Sequence, residues 1–220
     1  MERVIDSSTL KAVLKDRRWL APKILELRLD RPAGFTFLPG QFLRIRMDGY
    51  QRDYTMVSGP DDQTLDFCIA LVDRGRFSTD ILTVEIGSAL SVSGPHGHFI
   101  FQGSVNPVVF VATGTGVAPF VAFLRSGVRD ALLLHGADTA DQLIYRALLQ
   151  SGLRSYVPCI SRPQGNDDGF HGRVTRYLQE QLKSGIYDFY LCGRRAMIRD
   201  ATAIIDRQFG DSRLFIETYD

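Results

Sequence analysis

The sequence predicts two domains: an antiparallel β-barrel over residues 1–103, then a doubly wound parallel α/β sheet over residues 104–220. Three observations predict this. Apolar residues recur with period two in the first half. Unbroken apolar runs alternate with helical patterns in the second half. A glycine turn, Thr113-Gly-Thr-Gly-Val-Ala-Pro119, follows one of those runs.

In the first half, Leu25, Leu27 and Leu29 alternate with Glu26 and Arg28. Leu43, Ile45 and Met47 alternate with Arg44 and Arg46, and Leu65, Phe67, Ile69 and Leu71 alternate with Asp66, Cys68 and Ala70. Strands with one apolar face and one polar face are antiparallel strands of a half-solvated sheet. The punctuation between them is turn chemistry: Arg31-Pro-Ala-Gly34, Pro39-Gly40, Asp48-Gly49 and Gly59-Pro-Asp-Asp62. Short strands so separated read as a barrel or sandwich.

The period changes near Gln102–Asn106. Beyond it, apolar runs at 108–112, 131–134, 155–160 and 188–192 fit strands covered on both faces. Helical patterns fill the gaps. Val174, Tyr177, Leu178 and Leu182 share a face, as do Met197, Ala201, Ile204 and Ile205. Gly127, Gly152, Gly185 and Gly210 stand where helix-terminating glycines belong. Such sheets bind ligands beyond the strand C-termini.

The glycine turn has a physical use. Gly114 and Gly116 let the backbone bend tightly after the buried strand 108–112. The following helix would aim free N–H groups and its positive end at a phosphate. Pro119 stands where a third glycine completes the dinucleotide fingerprint, and proline suits a first helical turn. An ordinary strand-to-helix turn is the alternative. The chain also ends unusually: Leu214-Phe215-Ile216 reads as a last strand, followed by Glu217-Thr-Tyr219 and Asp220.

Composition excludes several classes. At 45% hydrophobic and 23% charged, the chain is an ordinary globular protein. A formal net charge of +1 gives no electrostatic case for nucleic acid. No apolar run is long enough to cross a bilayer, and Met1-Glu-Arg-Val-Ile-Asp-Ser-Ser8 has no signal-peptide core. Cys68, Cys159 and Cys192 cannot supply a four-cysteine cluster, and no metal site is expected. The expected location is the cytoplasm.

Several motifs, in order, resemble the ferredoxin–NADP reductase family. Arg52-Asp-Tyr-Thr55 is similar to its R-x-Y-[S/T] motif, and Gly75-Arg-Phe-Ser-Thr79 to its flavin-pyrophosphate loop. Gly94-Pro-His-Gly97 is similar to the segment that closes its barrel. Thr113–Pro119 and Cys192-Gly-Arg-Arg-Ala-Met197 resemble its two nicotinamide-side motifs. The resemblance runs from about Gln41 to Tyr219. It implies an FAD-binding barrel followed by an NAD(P)-binding domain, with no ferredoxin-type segment at either end.

The resemblance implies a role for each matching residue. Arg52 offers a fork of donors to phosphate. Tyr54 offers a flat face to the isoalloxazine. Thr55 is placed to donate to flavin N5. Gly75, Phe77, Ser78 and Thr79 would hold the pyrophosphate, the two hydroxyls capping a helix. Ile69 joins the flavin set. Thr113, Gly114, Gly116 and Pro119 would serve the nucleotide, with Cys192 beside the nicotinamide. Tyr219 would cover the flavin face opposite Tyr54, and Glu217 would hydrogen-bond near Thr55 and Cys192. Asp220 follows where plant-type members end at the tyrosine, an extra carboxylate that would loosen or tilt the ring. For Arg52, Tyr54 and Cys192 the alternative is an ordinary strand position.

Residues bearing on the nucleotide disagree. Ser161-Arg162 resembles the pair that holds the 2′-phosphate of NADPH, and Arg173 adds a cation. Asp138 suits a ribose hydroxyl instead. Two cations against one anion favour NADPH over NADH. The implied activity is hydride transfer from NAD(P)H to FAD, then single electrons to an acidic acceptor such as ferredoxin or flavodoxin. Lys11, Lys15, Arg17, Arg18 and Lys23 would form a basic docking edge or a solvated strand. The competing readings are an NADH-dependent reductase component of an oxygenase, and a non-turnover nucleotide-binding regulatory subunit.

Overall fold

The computed structural model describes residues 9–165 and 167–219; the readings made of Met1–Ser8 and of Asp220 lie outside the described residues. The first six strands are β1 (Thr9–Ala21), β2 (Ile24–Asp30), β3 (Phe42–Met47), β4 (Tyr50–Thr55), β5 (Thr64–Ala70) and β6 (Ala89–His96). They form one antiparallel sheet in the order β4-β3-β6-β1-β2-β5. A bridge from Met56 to Phe67 joins its two edges. Period-two alternation sends Leu27, Leu29, Leu43, Ile45, Leu65, Phe67 and Ile69 into the interior, all with no exposed surface. Burying each such side chain contributes about 1.5–3 kcal/mol. Helix α1 (Arg76–Thr83) adds Phe77 and Ile81 to the same core.

The second sheet is parallel, in the order β10-β9-β8-β7-β11-β12. Its strands are β7 (Val108–Thr113), β8 (Ala131–Ala137), β9 (Ser155–Ile160), β10 (Phe170–His171), β11 (Asp188–Arg194) and β12 (Arg213–Tyr219). The helices are α2 (Ala118–Arg125), α3 (Arg146–Gly152), α4 (Val174–Glu180) and α5 (Arg195–Gln208). Alternate residues of β7 feed opposite layers: Phe110 joins Phe120, Phe123 and Leu133, while Val109 and Val111 join Leu178, Leu191 and Ile205. The strand order reverses at β7, so a crevice opens beyond its C-terminus. Two-residue β10 is too short for any hydrophobic period to reveal. Of the four glycines expected to end helices, Gly127 alone has a positive φ, +102°. Gly152 closes α3 from within, and Gly185 and Gly210 lie in looser turns.

The outer face of β2 and β5 differs from the sequence expectation. Its alternating polar residues predict a solvated surface, yet Glu26 and Asp66 are each 2% exposed. The second domain covers them. Each charge keeps partners, as burial demands: Arg28 forks onto Asp66 at 2.9 and 2.8 Å, and Arg18 pairs with Glu26. Arg125 of α2 reaches the Val57 carbonyl at 3.1 Å and lies 3.9 Å from Asp66. Val57, Cys68 and Phe99 of the barrel share one apolar cluster with Phe120 and Phe123 of α2.

The segment between β6 and β7 is clamped from below. Fully buried Asp188 accepts from Ser104, from Asn106 at 3.1 Å and from Arg213 at 2.8 Å. The predicted basic edge is mostly neutralised within the chain. Lys15 faces Asp30 at 4.0 Å, Lys23 pairs with Asp73 at 2.7 Å, Arg18 is bound to Glu26, and Arg17 donates to the Ile81 carbonyl. No described helix is long and apolar enough to cross a membrane.

Candidate functional site

A cleft of 770 Å³ lies between the domains. Its barrel wall comes from β4, β5 and the start of α1. Its other wall comes from the loop after β7 and from Glu217, Thr218 and Tyr219 of β12.

On β4, Tyr54 packs on Phe77 with ring centroids 5.1 Å apart. Both line the cleft, and burial pushes the Tyr54 phenol up, so it is neutral. Arg52 is exposed, its guanidinium donating to the Gln51 carbonyl at 2.8 Å. Thr55 is buried at 6% exposure. Arg44 forks onto Asp53 at 2.7 and 2.9 Å along the cleft edge. Ile69 is displaced from its predicted role. It faces the barrel core, and its neighbours Cys68 and Ala70 line the cleft, as strand alternation requires.

Helix α1 begins after Gly75 without a side-chain cap. The capping expected of Ser78 and Thr79 is not made. Buried Ser78 Oγ accepts from the Val72 N–H at 2.8 Å and braces the preceding turn. Exposed Thr79 donates back to the Gly75 carbonyl at 3.2 Å. The first-turn N–H groups therefore keep their capacity for an anion. Arg76 stacks over Tyr50 at 4.6 Å beside them.

On the opposite wall, a 3-10 turn (Gly114–Val117) links β7 to α2, and Pro119 sits in the first turn of α2. Gly116 permits close packing: a Cβ there would meet the Cys192 carbonyl oxygen at 2.4 Å. Thr113 Oγ1 accepts from the Arg194 N–H at 3.4 Å, and a Cβ on Gly193 would lie 2.3 Å from it. The residues of this loop that line the cleft are Thr115 and Ala118. Both lie inside the predicted turn Thr113–Pro119, which singled out Thr113, Gly114, Gly116 and Pro119 instead. Cys68 Sγ donates to the Thr115 carbonyl at 3.7 Å across the cleft floor.

The chain end is ordered by pairing. β12 lies parallel to β11 in the register Cys192↔Glu217 and Arg194↔Tyr219, and Phe215 stacks on Tyr190 at 4.3 Å. Tyr219 thereby reaches the barrel, and its hydroxyl donates to Thr55 Oγ1. Burial pushes both the Cys192 thiol and the Tyr219 phenol far up, so both stay protonated. Burial, then the charge of Asp53, raises the half-buried Glu217 carboxyl. The contact with Thr55 expected of Glu217 is made by Tyr219.

A second recess, 340 Å³, opens beyond β8 and β9 and is lined by Asp138, Ser161, Arg162, Arg173 and Arg176 among others. Ser161 Oγ donates to the Asp138 carboxylate at 2.9 Å, and the Arg162 N–H donates to the Asp138 carbonyl at 2.8 Å. Arg173 is the N-cap residue of α4. Arg176, unforeseen, comes from the same helix three residues on and pairs with Glu180 at 2.9 Å. The i,i+3 spacing is its only sequence signal.

The oxidoreductase FAD-binding domain family matches residues 15–101, and the oxidoreductase NAD-binding domain family matches residues 110–203. The chain belongs to the ferredoxin–NADP reductase family. It is 29% identical to ferredoxin–NADP reductase B of Sorangium cellulosum, covering 99% of this chain and all of that one. It is also 29% identical to the toluate 1,2-dioxygenase electron transfer component of Pseudomonas putida, over 90% of this chain but 63% of that protein. A ferredoxin NADP+ reductase from Neisseria gonorrhoeae with bound FAD and NADP has the same fold: TM-score 0.86, 21% identity, 97% of this chain and 99% of that one. The cytochrome P450 reductase GcoB of Amycolatopsis superposes with a TM-score of 0.83 at 25% identity, over 96% of this chain and 70% of its own.

FAD and a nicotinamide nucleotide are the cofactors of this family member. The cleft fits a flavin on its own terms: rings at Tyr54 and Tyr219, an uncapped helix N-terminus at Gly75, and the cations Arg52 and Arg76 beside it.

Proposed function

We propose that the chain is a reductase that accepts hydride from NADPH on FAD and passes single electrons to a partner protein. The observation that carries this reading is the joint wall of the cleft: Tyr54 and Thr55 from one domain, Tyr219 and Thr115 from the other. A flavin bound there supplies the exchange between two-electron and one-electron chemistry.

The chain's residues supply position and protons. Tyr54 and Tyr219 offer flat faces. Thr55 Oγ1 already accepts from Tyr219, so its own proton is free to donate into the cleft. Cys192 is fully buried and protonated, so it is no nucleophile; its proposed part is to lie behind a bound nicotinamide. Glu217 holds its proton to higher pH than an ordinary carboxylate, which suits it to deliver protons at the cleft. Arg52 and the open end of α1 would hold the pyrophosphate.

The preference for NADPH is supported by three guanidinium groups, Arg162, Arg173 and Arg176, lining one recess. A second reading, an NADH-dependent reductase component of an oxygenase, is favoured by the Asp138 carboxylate in that recess. The acceptor is proposed to be an acidic carrier such as ferredoxin or flavodoxin. It would have to meet cations other than the internally paired ones of β1.

The test is a visible spectrum of the purified protein, then anaerobic titration with NADPH and with NADH. Bleaching of a flavin spectrum with higher kcat/KM for NADPH is expected. Absence of any reducible flavin overturns the reading, and a higher kcat/KM for NADH overturns the NADPH preference in favour of the second one.

A further inference from the structure

Glu26 is a carboxylate buried at 2% exposure, set into a strand face that is not the barrel interior. Its partners come from both domains. Arg18 pairs with one carboxylate oxygen, and the Tyr145 hydroxyl donates to the other at 2.8 Å, bridging 119 positions of sequence. Tyr145 holds this place in a left-handed conformation, φ 58° and ψ 14°. Bulky side chains seldom adopt it, and such outliers persist where the surroundings over-determine them.

Glu26 stands one residue away from the barrel wall of the cleft. Glu26 is the direct cross-strand partner of Cys68, so the two share a face of the β2–β5 pair. Cys68 lines the cleft and donates to the carbonyl of Thr115 in the loop after β7. Tyr145 packs in the same apolar cluster as Val117 and Ala118 of that loop and helix. Glu26 and Tyr145 thus join the two domains beside the Cys68–Thr115 contact, which links the barrel wall to the loop after β7.

We propose that Glu26 and Tyr145 are positioning residues whose hydrogen bond sets the register of the 113–118 loop against the flavin wall. The proposal rests on the reading of the cleft as the flavin site. Hydride transfer tolerates little displacement, because an error near 1 Å costs up to about a hundredfold.

Two measurements on the full chain test it. Amide hydrogen exchange on flavin-free Tyr145→Phe is expected to speed residues 113–118 by about tenfold, leaving the β2–β5 amides unchanged. Stopped-flow reduction of the flavin-loaded variant at saturating nucleotide should slow by about three- to tenfold, with FAD and nucleotide dissociation constants within about twofold. Glu26→Gln, whose amide oxygen still accepts from Tyr145, should restore most of the rate that Glu26→Ala loses. Wild-type exchange and reduction in both Tyr145→Phe and Glu26→Ala overturn the proposal. So does exchange raised uniformly over barrel and sheet, which marks general loosening. If the wild type is reduced by neither nucleotide, the proposed function falls, and the exchange arm still decides this one.

Discussion

The hydroxyl of Tyr219 donates to Oγ1 of Thr55, joining the last strand of one domain to a barrel strand 164 positions earlier. The two residues close the cleft at the point where the nucleotide and flavin sites would meet. If Tyr219 covers the flavin as proposed, a nicotinamide ring would have to displace the tyrosine ring to reach it. On that proposal the tyrosine would oppose binding of the oxidised nucleotide and speed its release. Deleting Tyr219 and Asp220 should tighten NADP+ and slow turnover. Tyr219→Phe, which loses one hydrogen bond worth about 0.5–1.5 kcal/mol, should tighten NADP+ by about two- to tenfold. Fluorescence or difference-spectrum titration measures this. Unaltered NADP+ affinity together with an unaltered flavin spectrum in the truncated chain would show that the tail is not on the flavin.

Arg52→Ala should weaken flavin binding. A charge-assisted phosphate contact contributes about 1.5–3 kcal/mol, so affinity falls by about ten- to a hundredfold. Arg52 is exposed and, among the described residues, donates only to the adjacent Gln51 carbonyl, so the melting temperature of the flavin-free chain should hardly move. Equilibrium dialysis of FAD against both proteins decides it, and equal affinities remove Arg52 from the site.

Arg162→Ala should raise KM for NADPH while leaving KM for NADH nearly unchanged, because only NADPH carries the 2′-phosphate. Asp138→Ala removes the anion from the recess and frees Ser161 Oγ. It should shift the kcat/KM ratio further toward NADPH by roughly tenfold, the scale of one charge-assisted contact. A shift toward NADH would mean that Asp138 serves only to orient Ser161.

His135 carries a pH prediction. It is fully buried, its Nδ1 lies 3.0 Å from the Tyr156 hydroxyl, and its Nε2 has no partner in the described structure. Burial, reinforced by the charge of Arg146, pushes it down to about 3. The folded state thus holds the ring neutral while the unfolded chain protonates it near pH 6.5. The stabilisation is fully present above pH 6.5 and is lost as pH falls toward 3. Each unit in that window costs about 1.4 kcal/mol. Melting temperature should start to fall below pH 6.5, before most carboxylates titrate. In His135→Asn the decline between pH 6.5 and 5 should flatten, and an unchanged profile would place the proton uptake elsewhere.

The sequence by itself determined both architectures, because each depends on short-range periodicity. Leu25, Leu27 and Leu29 announce a sheet with one apolar face, and the run 108–112 announces a strand covered on both faces. The spacing Arg52-Asp-Tyr-Thr55 and the turn Thr113–Pro119 marked segments that line the cleft. Tertiary structure decided what alternation leaves ambiguous. A polar strand face looks the same whether water or another domain covers it, so the burial of Glu26 and Asp66 was not legible. The hydroxyl of Ser78 was readable as a cap, and only the fold of the preceding turn directs it to Val72. Cys68, Thr115 and Arg176 enter the sites through approach of distant segments, as does the Tyr145–Glu26 bond. Period and turn chemistry act over a few residues. Contacts between separate domains depend on how two finished surfaces meet, and no local pattern records that.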